Sequence, residues 1–401
     1  MIKLHKLNKL NKIFFVGLLL LSGITITYAS EPSSWDESKE VKEVRVSKNL
    51  ARALRKYDEV RDFHDGLAFV AKVQDLDEPG YEGTYGYINI NGEEVVPCTN
   101  YYYQYAISPD FSEGLAGFKA GDKYGYINTK GELVIDAIYD KVTPFSDGLA
   151  LVAIDDSIFF IDREGNKVLD WKWDYPFAID CDGVSYYDFK NGMIEVEYNG
   201  KSGMVNKKGE YIIPPKYHRV GTFSEGLIAL ESNGKWGFVN SQGETVIPFK
   251  YEVAGNFNDG LAPVAYDKHY LNGKYGYINK KGEVVIPFIY DYARDFEDGL
   301  AIIEKADKYG VINKNGEEVI PCTYSYISPF REGYAVARKN DTHYFIDIKG
   351  KVLTTLGQGY YISDFSEGIA LIYKKVNINP TLMRRHYDAI DKFGNSTFEF
   401  K

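Results

Sequence analysis

The sequence predicts an all-β protein built from tandem repeats, and three observations carry that expectation. A motif Phe-x-(Asp/Glu/Asn)-Gly recurs at Phe63, Phe111, Phe145, Phe189, Phe223, Phe257, Phe296, Phe330 and Phe365, which makes nine units. Successive motifs lie 48, 34, 44, 34, 34, 39, 34 and 35 residues apart, so the basic unit is 34 residues and three units carry insertions. A period in this range marks an array of small supersecondary units. Between motifs, short runs alternate apolar and polar residues and are bounded by Gly, Asn and Pro, the pattern of half-buried strands. With 34 Tyr against 4 Trp and 44% hydrophobic residues, the chain can bury strand faces while leaving hydroxyls at the surface.

Each part of a unit has a physical role. After the motif Gly comes a run such as Leu261-Ala-Pro-Val-Ala, which alternates as a strand. Lys274-Tyr-Gly-Tyr-Ile-Asn is a second strand. Asn279-Lys-Lys-Gly-Glu links it to a third, because an Asn can bond its own backbone two residues on and the Gly can take positive φ. The link is a hairpin with a bulge at the Gly. Pro97, Pro214, Pro248, Pro287 and Pro321 end the third strand, since Pro cannot donate to a ladder. A Tyr-x-x-(Val/Ala) piece forms a short fourth strand before the next motif. The Gly inside Tyr-Gly-Tyr, at 86, 125, 203, 237, 276 and 310, requires a ring or backbone packed over it. Units three and eight carry Phe159 and Tyr344 there, so they must pack differently.

The first residues differ from the rest. Lys3, Lys6, Lys9 and Lys12 precede an apolar run from Ile13 to Ile26, and Thr27-Tyr-Ala29 supplies small residues at a cleavage site. The run is shorter than the ~20 residues of a spanning helix. Residues 1–29 therefore read as a signal peptide, and the protein as exported to the periplasm or beyond the cell, without stable membrane insertion of the mature chain. Removing the four Lys takes the formal charge from −10 to −14. A net acidic chain argues against nucleic acid and is compatible with cations, neutral glycans or basic partners. Cys98, Cys181 and Cys322 are odd in number, and Cys98 and Cys322 occupy matching contexts, so no structural disulfide is expected.

The runs Lys235-Trp-Gly-Phe-Val-Asn240 and Lys274-Tyr-Gly-Tyr-Ile-Asn279, with Gly-Leu-Ala before and Val-Ile-Pro after, resemble the WG-repeat (KWG-repeat) family over residues 57–395. Tyr mostly replaces Trp, and only Trp236 keeps the name-giving dipeptide. The resemblance implies a β-rich tandem repeat of bacterial proteins, often exported, with no assigned catalysis.

One unit cannot bury its apolar face alone, so neighbours must supply the core. A unit of 34 residues is tight for a propeller blade of ~40, and nine blades exceed the usual 4 to 8. The expectation is thus an open solenoid or superhelical array. Residues 30–56, with a helix former behind Ser47, would be its polar N-terminal cap, and residues 396–401 a C-terminal tail. A β-propeller-like closed ring is the alternative, because the repeats begin with Tyr57-Asp-Glu-Val and stop before another such piece.

Signals for chemistry are sparse. None of the six His forms a metal-binding pair, and no Cys-x-x-Cys, nucleophile elbow or phosphate loop occurs. The motif carboxylates recur once per unit just before a Gly, which points to turn capping rather than catalysis. Residues 75–82 are a solvated loop rather than a calcium loop. No cofactor or metal is expected. The least repeat-like segment is the insertion 171–187, where Trp171, Trp173, Tyr175, Tyr186 and Tyr187 make the candidate ligand-binding set. Flat rings beside Asp can stack on sugars or clamp a peptide; alternatively they patch a misfit between units three and four. The function expected is a non-catalytic exported binding or scaffolding protein for a protein or an envelope polysaccharide. The alternatives are a glycan-processing enzyme using Asp174 and Asp182, or a structural spacer without ligand.

Overall fold

The computed structural model describes residues 46–73, 82–103, 110–174, 188–266, 274–357, 359–379 and 382–396. Among them lie nine antiparallel sheets, one for each sequence unit, with strands in chain order across each sheet. Unit six shows the plan: Val253–Ala254, Leu261–Ala265, Tyr275–Asn279 and Val284–Tyr290. The first, two-residue strand is the Tyr-x-x-(Val/Ala) piece, and it pairs with the strand that follows it. The hairpin after Asn279 forms as its residues dictate. Its Oδ1 accepts from the amides of Lys281 at 3.0 Å and Glu283 at 3.1 Å, and Gly282 sits at φ +79°.

The Gly of the second strand is explained by backbone. In unit six the register shifts between Tyr275 and Tyr277, so the third strand bulges across Gly276. A Cβ there would lie 2.7 Å from the Ile286 carbonyl oxygen, and at Gly125 2.3 Å from that of Ile135. In units three and eight, Phe159 and Tyr344 pair regularly with Asp170 and Thr355, and no carbonyl crosses them. Cys98 and Cys322 hold matching places in the bulges over Gly86 and Gly310, and both are free thiols. Cys181 lies outside the described residues.

The core is made between units. Phe257, Ala262, Val264 and Ile278 of unit six pack on Leu227, Phe238, Ile247 and Tyr251 of unit five. A ring such as Phe257, 1% exposed, is worth about 1.5–3 kcal/mol of burial. The same arrangement joins the last unit to the first: Ile369, Leu371, Tyr387 and Ala389 pack with Val60, Phe63, Ala68 and Val70. The array is therefore a closed nine-bladed β-propeller ring, which corrects the open solenoid. Blades as short as 34 residues suffice because their first strand can be only two residues long and a single residue can link two sheets, as Asp291 does between Tyr290 and Tyr292. The helix Lys48–Leu54, N-capped by Ser47 Oγ on the Leu50 amide at 3.0 Å, packs Leu50 and Leu54 into the cluster of the closing junction. Arg55 bonds the buried Asp388 at 3.1 Å. Among the described residues, no helix is long and apolar enough to cross a membrane.

Candidate functional site

The Phe-x-(Asp/Glu)-Gly motif is a two-residue turn with both central residues at positive φ, such as Asp298 at +52° and Gly299 at +77°. That is the hairpin geometry for which Asp-Gly is preferred. Its carboxylate reaches across to the next unit and accepts the backbone N–H of the next motif Gly. Asp65 holds Gly114 at 2.8 Å, Glu113 holds Gly148 at 2.9 Å and Asp147 holds Gly192 at 2.6 Å. Glu225 holds Gly260, Asp259 holds Gly299 and Glu332 holds Gly368. Glu367 holds Gly66 at 2.8 Å and so closes the ring. Where the motif begins Phe-Ser, the hydroxyl donates to the next Phe carbonyl: Ser112 to Phe145, Ser146 to Phe189, Ser224 to Phe257 and Ser366 to Phe63. In unit four the Asn191 amide donates to Phe223 instead. The expected turn capping thus extends between units, a role that reading the motif as a ruler missed. The signal was the pairing of Ser with the acid.

One junction departs from the rule. Between units seven and eight, Glu297 replaces the Ser, and Asp298 makes no hydrogen bond among the described residues. An exposed ion pair, Arg331 to Glu297 at 2.6 Å, spans the gap. An open cavity of about 850 Å³ lies here, lined by residues of units five to eight that include Tyr275, Tyr292, Arg294, Asp295 and Asp298. Tyr292 is 38% exposed and meets Tyr275 edge to face, ring centres 5.7 Å apart. Asp295 accepts from the Asn256 amide at 3.0 Å and its side chain at 3.2 Å, yet burial holds its carboxyl above the usual range. The Arg294 Nε is buried without a partner among the described residues.

The aromatic insertion is placed in part. Trp171 and Trp173 pack on the core between units three and four, ring centres 5.1 Å apart at 80°. Trp171 Nε1 donates to the carbonyls of Trp173 and Asp174, and Trp173 Nε1 to the Tyr211 hydroxyl at 3.0 Å. Asp174 accepts from the Gly200 amide at 3.3 Å. Tyr175, Tyr186, Tyr187 and Asp182 lie outside the described residues, as do 74–81, which hold most of the acidic loop.

The model of the WG containing repeat matches residues 55–72, 85–124, 124–156, 203–236, 236–270, 275–309 and 309–342. The chain belongs to the WG-containing repeat family. No curated protein matches it. Among solved structures, apo AztD from Citrobacter koseri overlaps 83% of this chain and 95% of its own, at 12% identity and TM-score 0.37. The β-propeller domain of the Trilobed protease from Pyrococcus furiosus covers 86% and 99%, at 11% and 0.34. A Bacteroides caccae protein of unknown function covers 51% and 92%, at 15% and 0.25. Overlaps this loose add nothing to the WG-repeat ring seen directly.

Proposed function

We propose that this WG-repeat ring is a non-catalytic, exported binding protein that presents one face of its blades to an envelope polysaccharide or a protein. The observation supporting it is the cavity at the junction of units seven and eight. Among the described residues, eight junctions keep a bond from the motif carboxylate, Ser or Asn, whereas the ninth has only the exposed Arg331–Glu297 pair and sets Asp298, Arg294 and the exposed Tyr292 around one open cavity. A buried polar group left without a partner, as the Arg294 Nε–H is among the described residues, costs ~1–3 kcal/mol, and the fold retains it beside the exposed Asp298 carboxylate and Tyr292 ring, an arrangement that suits a ligand site. The basic, then apolar, first 29 residues ending in Thr27-Tyr-Ala29 support export.

The test is retention. The mature chain, immobilised, is incubated with solubilised envelope from the same cells, half of it digested with protease beforehand. Material that survives digestion and is retained identifies a polysaccharide; material lost on digestion identifies a protein. No retention from either sample overturns the proposal in favour of a spacer.

A further inference from the structure

The charged residues that line the cavity have both signs, and this restricts what it can hold. Asp298 offers two acceptor oxygens with no partner among the described residues. Arg294 lines the same space with its guanidinium, whose Nε–H is itself buried without a partner among the described residues. A carboxylate accepts only and a guanidinium donates only. An organic cation would pair with Asp298 and meet the like charge of the Arg294 guanidinium. An anion would serve Arg294 and meet Asp295 and Asp298. A hydroxyl both donates and accepts, so a ligand with several hydroxyls answers both groups without bringing a net charge. The wall adds Tyr292, whose exposed ring offers a flat apolar face to the C–H face of a sugar. The cavity, about 850 Å³, is within the ~300–1,000 Å³ of small-molecule sites, enough for roughly two or three sugar rings.

We infer that the cavity between units six, seven and eight is a saccharide subsite, with Asp298 and Arg294 bonding hydroxyls and Tyr292 stacking on a ring. This rests on the binding function proposed above and names its ligand class.

Maltotriose, cellotriose and chitotriose are titrated into the full mature chain by calorimetry, with putrescine and malonate as cationic and anionic arms. At least one trisaccharide should bind saturably. Asp298→Gly removes the carboxylate without strain at its positive φ, and Tyr292→Ala removes the ring. Each should raise Kd about tenfold or more, the equivalent of ~1.4 kcal/mol. Tyr326→Ala, the matching strand position in unit eight, should leave Kd unchanged. Thermal unfolding verifies that all three variants fold. The inference is overturned if no trisaccharide binds, if the three variants behave alike, or if putrescine or malonate binds with the same sensitivity to Asp298 and Tyr292. Envelope retention that persists in that case keeps the wider function and discards the subsite alone.

Discussion

The junction between units nine and one and the junction between units seven and eight use the same turn and spend it differently. At nine–one, Ser366 donates to the Phe63 carbonyl and Glu367 accepts from Gly66. At seven–eight neither bond forms among the described residues, and the turns are bridged by an exposed ion pair. The chain itself accounts for the contrast. Units seven and eight are joined covalently, since Ser325 alone separates the strands Glu318–Tyr324 and Tyr326–Ile327. Units nine and one have no such link, so their faces must be held by side chains and by the helix Lys48–Leu54 packed across them. Hydrogen bonds at the turns add to the shared core where the peptide chain does not join the blades. Where it does, one turn can lose them and face a ligand instead.

Matched variants break the comparison most sharply. Ser366→Ala with Glu367→Gly deletes both closing bonds without strain at positive φ, and should cost about 2–4 kcal/mol, since bonds to a charged group are worth ~1.5–3 and neutral ones ~0.5–1.5. Glu297→Ala with Asp298→Gly, the same positions at seven–eight, should stay within about 0.5 kcal/mol, because an exposed ion pair contributes little. Urea unfolding measures both. Equal losses would mean that closure depends on the core alone.

A smaller effect separates blade integrity from junction integrity. Gly125→Ala puts a methyl 2.3 Å from the Ile135 carbonyl oxygen, which backbone must move to relieve. The expected loss is about 1–3 kcal/mol. Phe159→Ala in unit three, where no carbonyl crosses, should instead show an ordinary loss of side-chain burial and no backbone shift. Amide chemical shifts of the third strand distinguish the two responses.

Much of this was legible in the sequence because local chemistry decided it. The Asn-x-x-Gly turns, the positive-φ acid–Gly pairs and the need for close packing over Gly276 all follow from residues adjacent in the chain. Closure was not legible. It depends on contacts such as Glu367 to Gly66, some three hundred residues apart, and on a small rotation per blade that no single unit encodes. The cavity was hidden for a related reason. Glu297, Asp298 and Arg331 look like ordinary surface charges until the missing bonds are compared with those of the other junctions. The insertion 171–187 drew attention because it interrupts the repeat, whereas the open site arises from substitutions inside a unit of regular length.

The smallest predicted effect is electrostatic and belongs to the same open sector. Asp295 is half-buried against Asn256, and burial raises its carboxyl above the ordinary range although both Asn256 bonds pull it down. The folded state therefore holds this proton more tightly than the unfolded chain. Its contribution to stability is fully present below the ordinary Asp value of about 3.9 and is lost as pH rises through the raised folded value. Asp295→Asn abolishes the titration and keeps an acceptor for the Asn256 amide. The variant should therefore gain on the wild type as pH rises from about 4 and hold a constant lead once the native carboxyl is ionised. Unfolding free energies across that range measure the lead. Asp62 and Asp188, which burial also raises, remain in both proteins and cancel. A lead that shrinks with rising pH would mean that Asp295 is held as a carboxylate, and a ligand of the sector would then meet a fixed negative charge rather than one that burial disfavours.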